Sequence, residues 1–441
     1  MRESGGDRPM AGDGREPRER TGRTAVVVVH GVGQQRPMTM VREVAHSYVS
    51  WCRTLPGAAH TPVWSVPDVA DSSFELSSFV IPSDAEHPQQ LHLYEGYWAG
   101  GVTGTRWTHL LRWTGRLLLR SPRSVPRRLL PVWGAVWLTL TLLVATVAAL
   151  LATLVSPRGA LWWTAAGAVA VLALVGGVVL ASLGDAARYV DDRAENVAVR
   201  HAVRRAVVQL LEVLHDSRRY DEIVVIGHSL GGIVAYDALR ILWARRTAGL
   251  DVAPLLPGLA TQADRVETLA RTPVPRRPHG PASGGPVWRV SDLLTVGSPI
   301  AYASVLIARR LLPLEALIEE RAMPTAPPQP AHGIPGVYWY PVERGREARL
   351  HHGAMFSATR WTNVHARADF LGGPVTDLGA DVRNHVLDGS AWTRVPGLSH
   401  AGYWRQPDIW PLVQTLPGFR RTALGLHPTP DPPARAATPP R

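Results

Sequence analysis

The sequence predicts an α/β fold: a mainly parallel β-sheet with helices on both faces, interrupted by a two-helix hairpin of membrane-spanning length. Three observations predict it. Continuous β-branched or aliphatic runs at residues 24–29 and 222–226 read as strands buried on both faces. Helical patterns over 190–215 and 232–246 flank the second run, and strands alternating with helices favour parallel pairing. Two uncharged apolar stretches, 132–155 and 160–183, stand back to back with only Ser156-Pro157-Arg158-Gly159 between them.

Composition narrows the options. With 46% apolar and 19% charged residues among 441, a wholly disordered chain is excluded. The formal net charge is +11, and all 47 basic residues are Arg, because the chain has no Lys. One cysteine, Cys52, excludes an internal disulfide and a Cys-based metal cluster. It follows Trp51 in a helical pattern and reads as a packed thiol.

Along the chain, residues 1–23 are polar and rich in Gly and Arg, and read as a disordered tail without a secretory leader. Residues 24–100 form the first part of the α/β domain. It holds the 24–29 strand, a helical pattern over 38–55, and strand-like pieces around 62–66 and 91–94. Residues 101–130 form a basic segment in which Arg112, Arg116 and Arg120 repeat at i, i+4 and i+8, with Trp107 and several Leu mostly opposite. That pattern suits a helix lying in a membrane interface. Residues 131–183 hold the hairpin. Each apolar stretch would rise about 36 Å as a helix, enough for a hydrocarbon core of about 30 Å.

Residues 184–420 form the second part of the α/β domain, with strands expected at 222–226, 288–296 and 361–365. Pro-rich breaks are read at 251–286 and 324–336, and residues 421–441 as a disordered Pro-rich tail. Arginine gathers on the side where both ends of the hairpin emerge. By the positive-inside rule that side is cytoplasmic, so an integral protein of the cytoplasmic membrane with its globular domain in the cytoplasm is expected. Residues 101–130, with seven Arg and no acid, carry +7 of the net charge and leave +4 for the rest. The basic character therefore points to anionic lipid headgroups and away from nucleic acid.

The chemistry centres on Gly227-His228-Ser229-Leu230-Gly231-Gly232, a G-x-S-x-G pattern between a buried-strand run and a helical pattern. This is the setting of a nucleophile elbow, with Ser229 on a strained turn flanked by Gly227, His228 and Gly231. A serine hydroxyl needs a general base, and the base needs an acid to orient it. In this strand–turn–helix setting the acid and then the base follow the serine along the chain. After residue 360, His occurs at 365, 385, 400 and 427. His400, between Ser399 and Ala401 and before Tyr403-Trp404, suits a loop over the site. His385, followed by Val386 and Leu387, reads as a helix or core position. Asp369, just past the 361–365 strand, is the acid candidate, with Asp377, Asp381 and Asp388 as competitors. Leu230 and Val32 are the candidate oxyanion N–H donors, with Gly31 as the alternative to Val32. His30 reads as a structural hydrogen-bonding residue. The Tyr97-Trp98 pair, at the end of a strand candidate, reads as packing, with lining the site as the alternative. His351-His352 lacks a third ligand at a recognisable spacing, and no metal or cofactor is expected.

Taken together, the His-Gly after the first strand, Gly-His-Ser-Leu-Gly-Gly, the Thr295–Pro299 segment, Asn363…Asp369 and Ser399-His400…Tyr403-Trp404 resemble the lipase/esterase branch of the α/β-hydrolase superfamily. The likeness covers roughly 24–100 and 190–410. It departs in placing the hairpin between the oxyanion strand and the elbow, and in starting at the oxyanion strand. The resemblance implies acyl transfer through a serine acyl-enzyme, without metal or organic cofactor. Ser229 would be the nucleophile, His400 the base and Asp369 the orienting acid. The expected activity is hydrolysis of carboxylic esters, with a lipid substrate suggested by the anchor. A thioesterase or acyltransferase using the same residues, or a catalytically silent membrane scaffold or regulator, are the alternative readings. Oligomeric state is not legible.

Overall fold

The computed structural model describes residues 22–31, 36–55, 62–67, 77–83, 90–99, 194–248, 288–306, 313–330, 338–343, 347–388 and 398–416, together with scattered positions between 121 and 189. Its largest unit is an eight-stranded sheet of order β10-β9-β6-β5-β1-β4-β3-β2. The strands are β1 (Arg23–Val29), β2 (Trp64–Pro67), β3 (Ser77–Ile81), β4 (Gln90–Glu95), β5 (Glu222–His228), β6 (Val290–Val296), β9 (Arg360–Ala366) and β10 (Arg383–Leu387). From β10 to β4 every neighbouring pair is parallel, and β2 and β3 add an antiparallel edge. A separate hairpin joins β7 (Trp339–Glu343) to β8 (Glu347–Leu350). The helices are α1 (Thr39–Cys52), α2 (Ala194–Asp216), α3 (Leu230–Thr247), α4 (Ala303–Leu306), α5 (Leu314–Glu319), α6 (Leu398–Ala401) and α7 (Ile409–Val413). The coarse expectation of a mainly parallel α/β fold therefore holds.

The valine run explains why β1 sits in the middle. Side chains alternate across a strand, so a run apolar at every position needs cover on both faces. Ala25, Val27 and Val29 enter one core with Val203, Val207 and Leu211 of α2 and Ile233, Leu239 and Leu242 of α3. Val26 and Val28 enter the other with Val41, Val44 and Tyr48 of α1 and Ile409, Trp410 and Val413 of α7. In β5, Ile223 and Val225 join the first core and Val224 and Ile226 the second.

The connections place the site. From β1 the chain crosses to the far edge of the sheet at β2 and works back through β3 to β4 beside β1, then crosses to β5 and builds outward on the other side through β6, β9 and β10. The direction reverses at β1 and β5. At such a reversal the two crossovers leave in opposite directions and open a crevice beyond the carboxyl ends of the strands.

Several local expectations change. The strand read around 62–66 is Trp64–Pro67, an exposed edge strand. β3 was not expected; it pairs antiparallel between β2 and β4. His385 lies neither on a helix nor in the core: it is a partly exposed residue of edge strand β10, opposite Val364. β1 begins one residue earlier than read, at Arg23.

Residues 1–21, the tail 421–441, the break at 251–286 and the basic stretch 101–120 lie outside the described residues, as do most of 132–155 and 160–183. Among the described residues no helix is long and apolar enough to cross a membrane. Those described in the first apolar stretch are helical, and Leu138, Leu140, Leu142 and Val144 are all exposed.

Candidate active site

Ser229 stands between β5 and α3, at the turn from strand to helix. Its backbone has φ 54 and ψ −129, a conformation L residues rarely adopt, and its N–H is held by the carbonyl of Val296 at 2.9 Å. Close packing forces the turn. A Cβ on Gly227 would lie 2.5 Å from Cα of Gly232, and one on Gly231 would collide with the carbonyl oxygens of Val29 and His30. The glycines of the motif are therefore set by the elbow crossing the end of β1. Gly31, beyond β1, comes equally close: a Cβ there would be 2.8 Å from Cβ of Ser229. The segment after β1 thus faces the hydroxyl across the crevice.

The three residues expected from sequence come together. His400 Nε2 lies 2.9 Å from Ser229 Oγ, and His400 Nδ1 lies 3.0 Å from Asp369 Oδ2. His400 is on the short helix α6, beside the elbow. Asp369 follows β9, with its N–H bonded to the carbonyl of Ala366 at 3.3 Å. The competitors are elsewhere. Asp377 and Asp381 are exposed, and Asp388 pairs on the surface with Arg367 at 2.6 Å.

Asp369 is buried and heavily hydrogen-bonded. Its Oδ1 accepts from the Leu371 N–H at 2.9 Å, and its Oδ2 accepts from the Tyr403 hydroxyl at 2.7 Å as well as from His400. Burial by itself would raise its pKa. The hydrogen bond and charge of His400, then Tyr403 and the Leu371 N–H, outweigh it and hold the carboxyl below its ordinary value. The acid therefore stays ionised and acts as an acceptor for imidazole Nδ1–H. With Nδ1 so engaged, Nε2 is left to exchange a proton with Ser229 Oγ.

Two histidines near the site have structural roles. His30 accepts the Trp98 N–H at Nε2 (3.2 Å), so its Nδ1 donates to the Gly31 carbonyl (2.8 Å). It also stacks on Trp98 with ring centroids 4.8 Å apart. Burial lowers its pKa to about 4. This agrees with the structural reading of His30 and the packing reading of Trp98. His228 donates from Nε2 to the His400 carbonyl at 3.1 Å. Burial, then the charge of His400, lowers the His228 pKa to about 4. Its sequence reading gave it only a place in the elbow.

Tyr403 was quoted in sequence only as part of an aromatic pair. It touches the acid from 34 residues away in sequence, so no local pattern could announce the contact.

Of the two candidate oxyanion donors, Val32 lies outside the described residues, with Gly33, Gln34 and Gln35. Leu230 is the first residue of α3, where helix N–H groups have no partner within the helix. His351 is built into the backbone: it accepts from the Gly353 N–H at 3.0 Å and donates to the Gln329 carbonyl at 2.8 Å. Cys52 is buried in α1. Among the described residues no cluster of three His, Cys, Asp or Glu could hold a metal ion.

Chemically, the arrangement couples a hydroxyl on a strained turn to an imidazole, and the imidazole to a buried carboxylate. It sits at a helix amino end, whose dipole favours a developing anion. Comparison of the chain with protein-family models, curated proteins and solved structures finds no match.

Proposed function

We propose that this chain is a membrane-anchored serine hydrolase of α/β-hydrolase type that cleaves carboxylic esters through an acyl-enzyme. The observation that carries the reading is the Ser229–His400–Asp369 relay, with links of 2.9 and 3.0 Å, at the carboxyl ends of the strands where the sheet reverses. In this mechanism Ser229 Oγ attacks the ester carbonyl carbon while its proton passes to His400 Nε2. The oxyanion forms over the amino end of α3, where the Leu230 N–H donates; Val32 is the proposed second donor. Collapse breaks the bond to the alcohol, which takes the proton from His400. Water then attacks the acyl-enzyme by the same route in reverse and releases the carboxylic acid. Throughout, Asp369 stabilises the imidazolium and fixes its tautomer. No step uses a metal or organic cofactor.

The membrane part of the reading rests on the two uncharged 24-residue stretches and on the Arg pattern around them. Exposed Leu138, Leu140, Leu142 and Val144 on described helical residues support it. Anchorage would hold the crevice near the lipid interface, which favours lipid or other lipophilic acyl esters. The basic stretch 101–130 would face anionic headgroups from the cytoplasmic side.

A fluorophosphonate probe applied to membranes carrying the full chain tests the chemistry. Labelling that disappears in Ser229→Ala supports the hydrolase, and absence of labelling counts against it. A panel of acyl esters of graded chain length then ranks substrates. Pro157→Cys and Arg420→Cys, each introduced into Cys52→Ala so that it is the single cysteine, test the topology: reactivity from opposite sides fits the hairpin, and the same side removes it.

A further inference from the structure

The acid of the relay has an arrangement that a three-residue scheme does not use. Asp369 Oδ2 receives two side-chain donors, His400 Nδ1 at 3.0 Å and the Tyr403 hydroxyl at 2.7 Å. The same hydroxyl accepts the Ala366 N–H at 2.9 Å, so it pins the carboxylate to the last residue of β9. Tyr403 is fully buried. Its ring and Asp369 Oδ2 both press on Gly297, where φ is +56: a Cβ there would be 2.5 Å from Tyr403 Cε2 and 2.9 Å from Oδ2. Gly372 closes the other side, since its Cβ would lie 2.8 Å from Oδ2. Two glycines thus leave room for one oxygen and the phenol that holds it. Tyr403 also lies three residues after His400, so one segment carries both donors to Oδ2.

We infer that Tyr403 is a positioning residue of the relay, orienting Asp369 Oδ2 toward His400 and sharing its negative charge. The inference rests on the hydrolase reading for its consequence in turnover, but not for its effect on His400. The hydroxyl donates a proton share to Oδ2 and so weakens the field that Asp369 exerts on the imidazole. Without it, the carboxylate attracts the imidazolium more strongly and is held less firmly in place. Burial and the neighbouring Asp369 both keep Tyr403 protonated and donating, since each raises its pKa.

Tyr403→Phe removes the hydroxyl and keeps the ring against Gly297. Tyr302→Phe is the control: the Tyr302 hydroxyl donates to main-chain carbonyls of the loop after Asp369, Phe370 at 3.2 Å or Gly372 at 3.5 Å. The readout independent of turnover is the titration of ¹³C-labelled His400 in the full chain in detergent micelles, assigned with His400→Gln. Tyr403→Phe should move the His400 midpoint upward, and Tyr302→Phe should leave it in place. In ester hydrolysis, Tyr403→Phe should lower kcat about tenfold with KM little changed, and shift the acid limb of kcat/KM to higher pH. An unchanged His400 midpoint overturns the inference, whatever happens to stability. A wild-type chain inert toward esters and probe would remove the hydrolase reading, while the titration would still decide the role of Tyr403.

Discussion

The imidazole of His228 donates from Nε2 to the main-chain carbonyl of His400, 3.1 Å away. The residue just before the nucleophile position thus holds the backbone of the residue proposed to activate that nucleophile. His228 stays neutral because it is buried, so the donor is present throughout the neutral range. His228→Phe keeps a ring beside Tyr403 and Trp404 but removes the donor. It should lower kcat/KM about tenfold, equivalent to roughly 1.4 kcal/mol, the scale of one buried hydrogen bond. Ester hydrolysis at saturating and limiting substrate measures this, and wild-type rates in the variant would refute the tether.

The backbone of Ser229 stores strain that a glycine would release. Alanine removes the hydroxyl and keeps the strain; glycine removes both. Ser229→Gly should therefore be more stable than Ser229→Ala by roughly 1 kcal/mol, although both are inactive. Thermal unfolding of the two variants side by side provides the comparison. Equal melting temperatures would mean that the elbow costs nothing to hold.

Stability should fall with acid, and the sign follows from burial. Burial lowers the pKa of His30, His228 and His351 to about 4, and that of His215 to about 3. Between those values and the ordinary 6.5, the unfolded chain binds protons that the folded chain refuses. The contribution is complete above pH 6.5 and is lost progressively as pH falls toward 4. Melting temperatures across pH 7.5 to 4.5 should decline steadily from about 6.5 downward. A flat profile would show that these imidazoles are not held neutral.

Asn363 joins three strands behind the acid loop. Its Oδ1 accepts from Thr295 of β6 at 2.9 Å, and its Nδ2 donates to the Gly373 carbonyl and to Asn384 Oδ1 of β10 at 2.9 and 2.8 Å. Asn384 in turn accepts the Val375 N–H at 2.8 Å. Asn363→Leu leaves several buried partners unmatched and should cost about 1–3 kcal/mol. Chemical denaturation gives the number. A loss below about 0.5 kcal/mol would mean that the network is dispensable.

What was legible in the sequence was whatever is encoded locally. The valine run marked β1 because burial on both faces forbids polar interruption. The elbow was readable because a strand, a tight turn and a helix must follow each other within a few residues. Asp369 and His400 were placed by their position after a strand and among small residues. β3 escaped because Ser77-Ser78-Phe79-Val80-Ile81 has no strict alternation and an apolar run of only three residues. His385 was misplaced because edge strand β10 exposes Val386, so its apolar residues imitate a helix or core segment. The roles of His228 and Tyr403 are contacts across the fold, made only when α6 docks against β5 and β9.

The chain leaves the sheet at the end of β4, beside β1, and re-enters it through α2, which packs under β1 and against α3. Trp98 and Tyr189, both buried, mark the two points of departure and return. Trp98 rests on His30, and the Tyr189 hydroxyl donates to Asp237 of α3 at 2.9 Å, so each junction is riveted to an element that builds the crevice. In sequence the segment between them falls between β4 and β5, and β1 pairs with both, so the sheet closes across it. On the proposed reading the insertion is a mooring, and a pull on it would reach His30 through Trp98 on one side and α3 through Tyr189 on the other.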